Sequence, residues 1–319
     1  MREHGLASIN RNQQRWVLNR TAVFSGFDDE MWDREERRDD NMLRFPALSS
    51  AAPRSPAATL QEEVDALQRE KLELHAQLFE AAQIQRKLSG SRKLRYGSLQ
   101  FVSEVFAVRY LSGDFTMFLQ DDRHVLAAHG DIAGKGVAAG MWFTNLAGLL
   151  QSYWRPGSDP ATIASEVNRH LCYLRPIAPF VTTFLAQIDC HLGDVTYCNA
   201  GHFPPLLLRA DGRIEPLEAG GPLLGAIEGA SFHCGDLVLE PGDALVAYSD
   251  GVIECSNPSG EEFGLERLSN ALLRAKQHSA HGTLMMLLAA LQDFANGSPS
   301  CDDVSLTVIQ RDAESMDIQ

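Results

Sequence analysis

His129-Gly130-Asp131-Ile132-Ala133-Gly134-Lys135-Gly136 joins an apolar run, His124–Ala128, to a long helical one, Val137–Tyr153. Its two halves have different periods. Residues 124–128 carry the β-branched and aliphatic side chains of a buried strand, and residues 137–153 form a stretch of good helix formers. The aspartate therefore sits at a strand exit, among glycines, in front of a helix. Alone, such an aspartate is a turn or helix-cap residue. The glycines do not make a nucleotide loop. A Walker sequence has four residues between its glycine and the Gly-Lys pair and then Ser or Thr. Here three residues separate Gly130 from Gly134, and Gly136 follows Lys135. The glycines Gly134 and Gly136, with Lys135, read instead as a loop that lets backbone approach a site and start a helix.

The same local arrangement recurs. Asp114 follows Ser112-Gly113, Asp250 ends the stretch ALVAYSD (244–250) and precedes Gly251, and Asp302 and Asp303 open the run Val304–Gln310. Turn chemistry explains each one singly, but not all four sites at strand ends. Short carboxylates brought to one cleft are ligands for hard divalent cations such as Mg²⁺ and Mn²⁺. Two such ions about 3.5–4 Å apart activate water for in-line attack on phosphorus.

Outward from these sites, strand-like runs cover 99–108, 115–119, 182–189, 195–199, 206–209 and 237–239, with Asp211-Gly212 as a hairpin signal. Helical runs cover 160–173, 265–276 and 280–294. Strands cluster and helices come in pairs. This predicts an α+β sandwich of sheets flanked by helices, not a doubly wound parallel fold.

The N-terminal part differs. Residues 1–58 hold an acid-rich stretch around Trp32, then Pro46, Pro53 and Pro56, and read as a mobile arm or linker that could carry a docking peptide. Residues 59–90 lack glycine and proline up to Gly90. Leu60, Leu67, Leu74 and Ala81 fall at heptad position d, and Val64, Lys71, Leu78 and Gln85 at a. This predicts a coiled-coil helix and a homodimer through 60–89; an amphipathic helix packed on its own domain is the alternative. Residues 91–319, which hold all the strand-end aspartates, are expected to form one domain.

Composition bounds the rest. The 319 residues hold 28 basic and 42 acidic side chains, a net charge of −14, which disfavours a nucleic-acid binder. Residues 91–319 carry 15 of the bases and 27 of the acids. Six cysteines without C-x-x-C spacing read as reduced thiols in a cytoplasmic protein, and no apolar window is long enough to span a membrane.

GDIAGKG, NAGH (199–202), YSDG (248–251) and the terminal DD together resemble the bacterial PPM-type metal-dependent serine/threonine phosphatases of the RsbU and SpoIIE branch. The resemblance runs in order from about residue 75 to 311 and includes Gln83-Ile84-Gln85, Phe180-Val181-Thr182 and Phe263-Gly264. It implies two antiparallel sheets with helices outside and a phosphoserine or phosphothreonine substrate. It also implies two Mn²⁺ or Mg²⁺ ions, an activated water as nucleophile and no phospho-enzyme. Asp131 would bridge both ions, Asp114 and the Ile132 carbonyl would hold one, and Asp250 and Asp302 the other. Asp131 and Asp250 are the catalytic pair to test, and Asp303 is the less defined acid. Relatives act on anti-anti-sigma (STAS) proteins in partner switching, which makes such a protein the expected partner. His202 stands where the eukaryotic-type branch has an aspartate, so it reads as a packing residue or a substrate-side acid. A catalytically silent scaffold is the competing reading; it is disfavoured because every expected carboxylate is present.

Overall fold

The computed structural model describes residues 56–313, so the expected arm over 1–58, Trp32 included, lies outside the described residues but for its last three. A long helix, α1 (Pro56–Leu88), comes first. Past Pro56 it has no helix breaker, and Arg86 and Lys87 in its last turn suit the negative end of the helix dipole. The chain continues through β1 (Lys93–Tyr96), β2 (Leu99–Phe106), β3 (Asp114–Gln120), β4 (His124–Ile132), α2 (Val137–Tyr153) and α3 (Pro160–Tyr173). Next come β5 (Val181–Asp189), β6 (Asp194–Ala200), β7 (Leu206–Leu208), β8 (Ile214–Pro216), β9 (Gly220–Gly221) and β10 (Gly235–Val238). The last elements are β11 (Ala244–Tyr248), α4 (Asp250–Ile253), α5 (Gly264–Ala275), α6 (Ala280–Ala295) and β12 (Val304–Arg311).

The strands form two sheets. One runs β1-β2-β12-β11-β7-β8; the other runs β10-β6-β5-β4-β3, with β9 added beside β6. All pairings are antiparallel except β6–β9. Leu99, Phe101, Phe118, Phe184, Leu245 and Ile309 fill the space between the sheets. Helices α2 and α3 cover the outer face of the second sheet with Phe143, Leu146, Ile163 and Val167. On the first sheet, α5 and α6 do the same with Leu268, Leu272, Leu284 and Leu287. Fully burying each of these large side chains stabilises the fold by about 1.5–3 kcal/mol. The expected sandwich flanked by helix pairs is the observed α/β/β/α architecture.

Because each central strand has a sheet on one side and helices on the other, its residues are buried on both faces. Val125 to Ala128 are all buried, so β4 reads as an unbroken apolar run and not as an alternation. Surface helices behave oppositely. Leu268, Ala271, Leu272 and Ala275 of α5 recur at three- and four-residue spacing and form its buried face.

Three local differences from the sequence reading matter. First, β4 continues through Asp131 and Ile132, and α2 starts only at Val137, with Gly136 as its N-cap. The helix-cap alternative for Asp131 therefore fails. Second, β1, β8, β9 and the single turn α4 are additional elements. β1 is a charged edge strand, Lys-Leu-Arg-Tyr, with little apolar signal. Third, the heptad seam divides. Leu60, Leu67 and Leu74 are more than half exposed. Leu78 is half-buried, and Gln85 is bonded to the backbone of Ser112. The lower part of α1 thus packs on its own domain.

Candidate active site

Antiparallel register brings the first two carboxylates together, with Asp114 on β3 opposite Asp131 on β4. Directly opposed residues share a face, so two like charges meet there at a cost unless something positive lies between them. His129 shares that face, two residues before Asp131. It points toward the other sheet, with Nδ1 2.9 Å from the Thr307 hydroxyl and Nε2 3.3 Å from that of Ser305. The carboxylates therefore lie at one end of the groove between the sheets.

The other acids arrive from the first sheet. Asp250 opens α4 directly after β11, and its carboxylate accepts from the Gly251 N–H at 2.7 Å. Gly251 is required there. A Cβ on it would sit 1.9 Å from the Asp303 carbonyl oxygen, so only glycine lets the Asp250 turn lie against the 302–303 segment.

Asp302 and Asp303 have different surroundings. Asp302 is part-exposed and accepts from the Lys135 ammonium at 2.8 Å. Asp303 is buried and accepts three hydrogen bonds: from the Val108 N–H at 2.8 Å, the Ser112 hydroxyl at 2.7 Å and the Gly113 N–H at 3.0 Å. It laces the 108–113 loop to the start of β12. Gln85 of α1 grips the same loop, donating to the Ser112 carbonyl at 2.8 Å and accepting from the Ser112 N–H at 3.3 Å. Gly113 sits against the cluster itself. A Cβ there would be 2.8 Å from both the Asp131 Oδ1 and the Ile132 carbonyl oxygen, which places these two oxygens on one side of β4.

Electrostatics follow from the crowding. Burial, then repulsion from Asp250, Asp302 and Asp303, raises the Asp131 carboxyl to about 6. Burial holds Asp114 well above the usual carboxylate range, with Asp131 and Asp303 adding to it. Asp250 is raised for the same reasons, burial first and then Asp302. The Oδ2 of Asp114 is buried without a hydrogen-bond partner. Among the described residues, no three acidic, histidine or cysteine side chains close on one point as a ready-made metal cage, and Lys135 is the ammonium bonded within the acidic group. By donor type, charge and the orphaned Asp114 oxygen, the group suits hard divalent cations.

The remaining expected residues lie at the margins. Gly134 and Gly136 form the β4–α2 loop at φ +116° and +71°. His202 is buried between its neighbours on two strands, with Nδ1 3.0 Å from the Thr182 hydroxyl of β5 and its ring 5.2 Å from that of His129 on β4. Burial lowers it to about 4 and keeps it neutral. The reading of the sequence missed His129, although its place two residues before Asp131 on a strand was a usable signal.

Comparisons with known proteins agree with this geometry. The family model described as Stage II sporulation protein E (SpoIIE) matches residues 121–312, more than half of the chain. Phosphoserine phosphatase RsbU of Bacillus subtilis is 27% identical over 242 residues, covering 75% of this chain and 71% of that one. The solved RsbU and RsbW domains of Rv1364c from Mycobacterium tuberculosis superpose with a TM-score of 0.59 at 25% identity, covering 68% of this chain and 61% of that one. The SiaA-PP2C domain of Pseudomonas aeruginosa shares the fold, with a TM-score of 0.66 at 16% identity over 76% of this chain and 99% of that one. With two antiparallel sheets, outer helix pairs and aspartates gathered at one end of the sandwich, the chain belongs to the SpoIIE family of PPM-type phosphatases.

Proposed function

We propose that the acidic end of the sandwich hydrolyses phosphoserine or phosphothreonine in a protein substrate. The observation that carries this is the convergence of Asp114, Asp131, Asp250 and Asp302 from both sheets, held without enough positive charge of their own. Asp131, Asp114, the Ile132 carbonyl, Asp250 and Asp302 are the groups that would hold two Mg²⁺ or Mn²⁺ ions. Bound there, such ions would supply an acidified water and offset charge on the phosphoryl oxygens. The chain's own part is positional. Asp303 and Gln85 fix the loop before Asp114, Gly251 seats Asp250, and Lys135 holds Asp302 at the rim. His202, buried and neutral, suits hydrogen-bonded support of β5 through Thr182 and not contact with substrate.

The phosphoserine phosphatases RsbU and RsbP among its relatives, and the joined RsbU and RsbW domains of Rv1364c, support a partner-switching role, with an anti-anti-sigma (STAS) protein as the substrate. The exposed Leu60, Val64, Leu67 and Leu74 support a homodimer through the upper part of α1. Among the described residues no helix is long and apolar enough to cross a membrane, and the free thiols fit a cytoplasmic setting. The proposed organisation is an arm over 1–58, a coiled-coil helix over 59–90 and a catalytic domain over 91–319.

The test is turnover of p-nitrophenyl phosphate and of a phosphoserine protein with Mn²⁺. Asp131→Asn and Asp250→Asn should each lose at least ~100-fold in kcat, as expected when charge stabilisation at the reacting centre is removed. Turnover equal to that of the unaltered protein would sink the assignment.

A further inference from the structure

A cleft of about 440 Å³ opens beside the acidic cluster, between α1 and the start of α2. Leu78 of α1, Val108, Tyr110 and Val137 give it apolar walls, and Arg109 and Lys135 stand on its rim. Lys135 also bonds Asp302, so the cleft is continuous with the site. Val108 and Val137 are about half exposed, at 47% and 52%, and Met141, one turn beyond Val137 on α2, is 71% exposed. Apolar surface left open next to a charged centre marks a place where something else packs.

The held loop explains how the rim is presented. Asp303 fixes the Val108 N–H on one side of Arg109 and Ser112 and Gly113 on the other. Arg109 is thus at the crest of a fastened loop. Among the described residues its guanidinium makes no ion pair or hydrogen bond, although it lies near enough to Lys135 to repel it. An unpaired guanidinium at this rim, in a domain with 15 bases and 27 acids, is free to meet an anion that comes from outside.

Resting on the phosphatase reading above, we propose that this cleft binds the polypeptide flanking the phosphorylated serine. Apolar side chains beside the phosphoserine pack on Leu78, Val108 and Val137, and Arg109 attracts the anionic segment. The phosphate itself needs only the carboxylate end. A 440 Å³ cleft with apolar walls is the size of a few side chains, and that distinguishes a protein substrate from a small phosphomonoester.

Two phosphoserine peptides test this, both carrying the same glutamates at their ends and identical except for Leu or Ser at the two positions on each side of the phosphoserine, with p-nitrophenyl phosphate as the third substrate. The full chain with Mn²⁺ should turn over the Leu peptide with a kcat/KM at least tenfold above that of the Ser peptide. Val137→Asp should bring the Leu peptide down to the Ser peptide and leave p-nitrophenyl phosphate within twofold. An acid at the first residue of a helix is favourable, so this variant should fold. Arg109→Glu should raise KM for both peptides at least tenfold. Equal turnover of the two peptides by the unaltered protein overturns the proposal, as does a Val137→Asp variant that loses p-nitrophenyl phosphate turnover as fully as peptide turnover. No turnover of any of the three substrates overturns the phosphatase reading itself.

Discussion

Adjacent carboxylates Asp302 and Asp303 should fail in opposite ways when altered. Asp303 accepts from two backbone N–H groups and one hydroxyl, all in a buried setting. In Asp303→Asn one oxygen becomes an amide nitrogen. With the remaining oxygen kept on Ser112 and Gly113, that nitrogen faces the Val108 N–H, donor against donor. Losing a hydrogen bond to a charged group costs about 1.5–3 kcal/mol. For a domain of this size each kcal/mol lowers Tm by about 2–4 °C, so Asp303→Asn should melt roughly 3–12 °C lower. Asp303→Ala leaves all three donors without the carboxylate and should melt lower still. Asp302 makes one ion pair, with Lys135, in which both side chains are nearly half exposed. Such a pair is worth at most about 1 kcal/mol, so Asp302→Asn should melt within about 3 °C of the unaltered protein. Its Mn²⁺-dependent turnover should nevertheless collapse, while Asp303→Asn keeps a measurable fraction below its lowered melting point. Thermal melts and p-nitrophenyl phosphate assays on the same preparations give both readings. The reasoning is refuted if Asp303→Asn melts with the unaltered protein, or if Asp302→Asn is the less stable of the two.

Gly251→Ala forces a methyl to within 1.9 Å of the Asp303 carbonyl oxygen, so the Asp250 turn has to move. It should cost about 1–3 kcal/mol in urea denaturation and lower Mn²⁺-dependent turnover with it. His202 is lowered to about 4, against about 6.5 in an unfolded chain. Its contribution to stability is complete above about 6.5 and is lost as pH falls toward 4, about 3 kcal/mol in all. His129 is pushed the same way by burial and then by His202. The raised carboxyls of Asp131, Asp114 and Asp250 act in the opposite sense, gaining stability as they protonate. The test is therefore the difference between two proteins: from pH 7 to pH 5 the urea midpoint of His202→Gln should fall less, or rise more, than that of the unaltered protein, and an identical pH dependence counts against the buried neutral histidine. Leu67→Asp and Leu74→Asp place charge on the exposed part of the α1 seam and should shift light-scattering mass from dimer to monomer with turnover per site unchanged.

Much of the fold was legible because its signals are local. Central strands such as β4 and β5 announce themselves as apolar runs, and Asp211-Gly212 marks the β7–β8 hairpin. The carboxylates were legible for the same reason: each lies at a strand boundary beside a turn. Strand order was not local. β12 inserts between β2 and β11, and this pairing sets Val304 opposite Phe106. It brings Asp303 onto a loop 190 residues earlier in the chain. No periodicity reports that juxtaposition, and the hydrogen bonds that hold the loop before Asp114 follow from it.

The pair Asp302-Asp303 shows where sequence reading stops. Successive residues entering a strand point to opposite sides, so the two acids had to have different surroundings. Which one turned inward depended on the register of β12 with β2, because a shift of one residue exchanges the two. In the observed register Asp303 is buried against Ser112 and Gly113, and Asp302 faces Lys135 at the rim. Burial with three donors makes the first acid a fastening for the loop that carries Asp114. Exposure beside a lysine leaves the second free to exchange its partner. An acid that binds a cation reversibly needs that freedom, whereas one committed to three hydrogen bonds gives up loop order if it moves. The difference between the two acids is thus a consequence of strand register, and register is fixed by the apolar residues of β12 that lie far from the site.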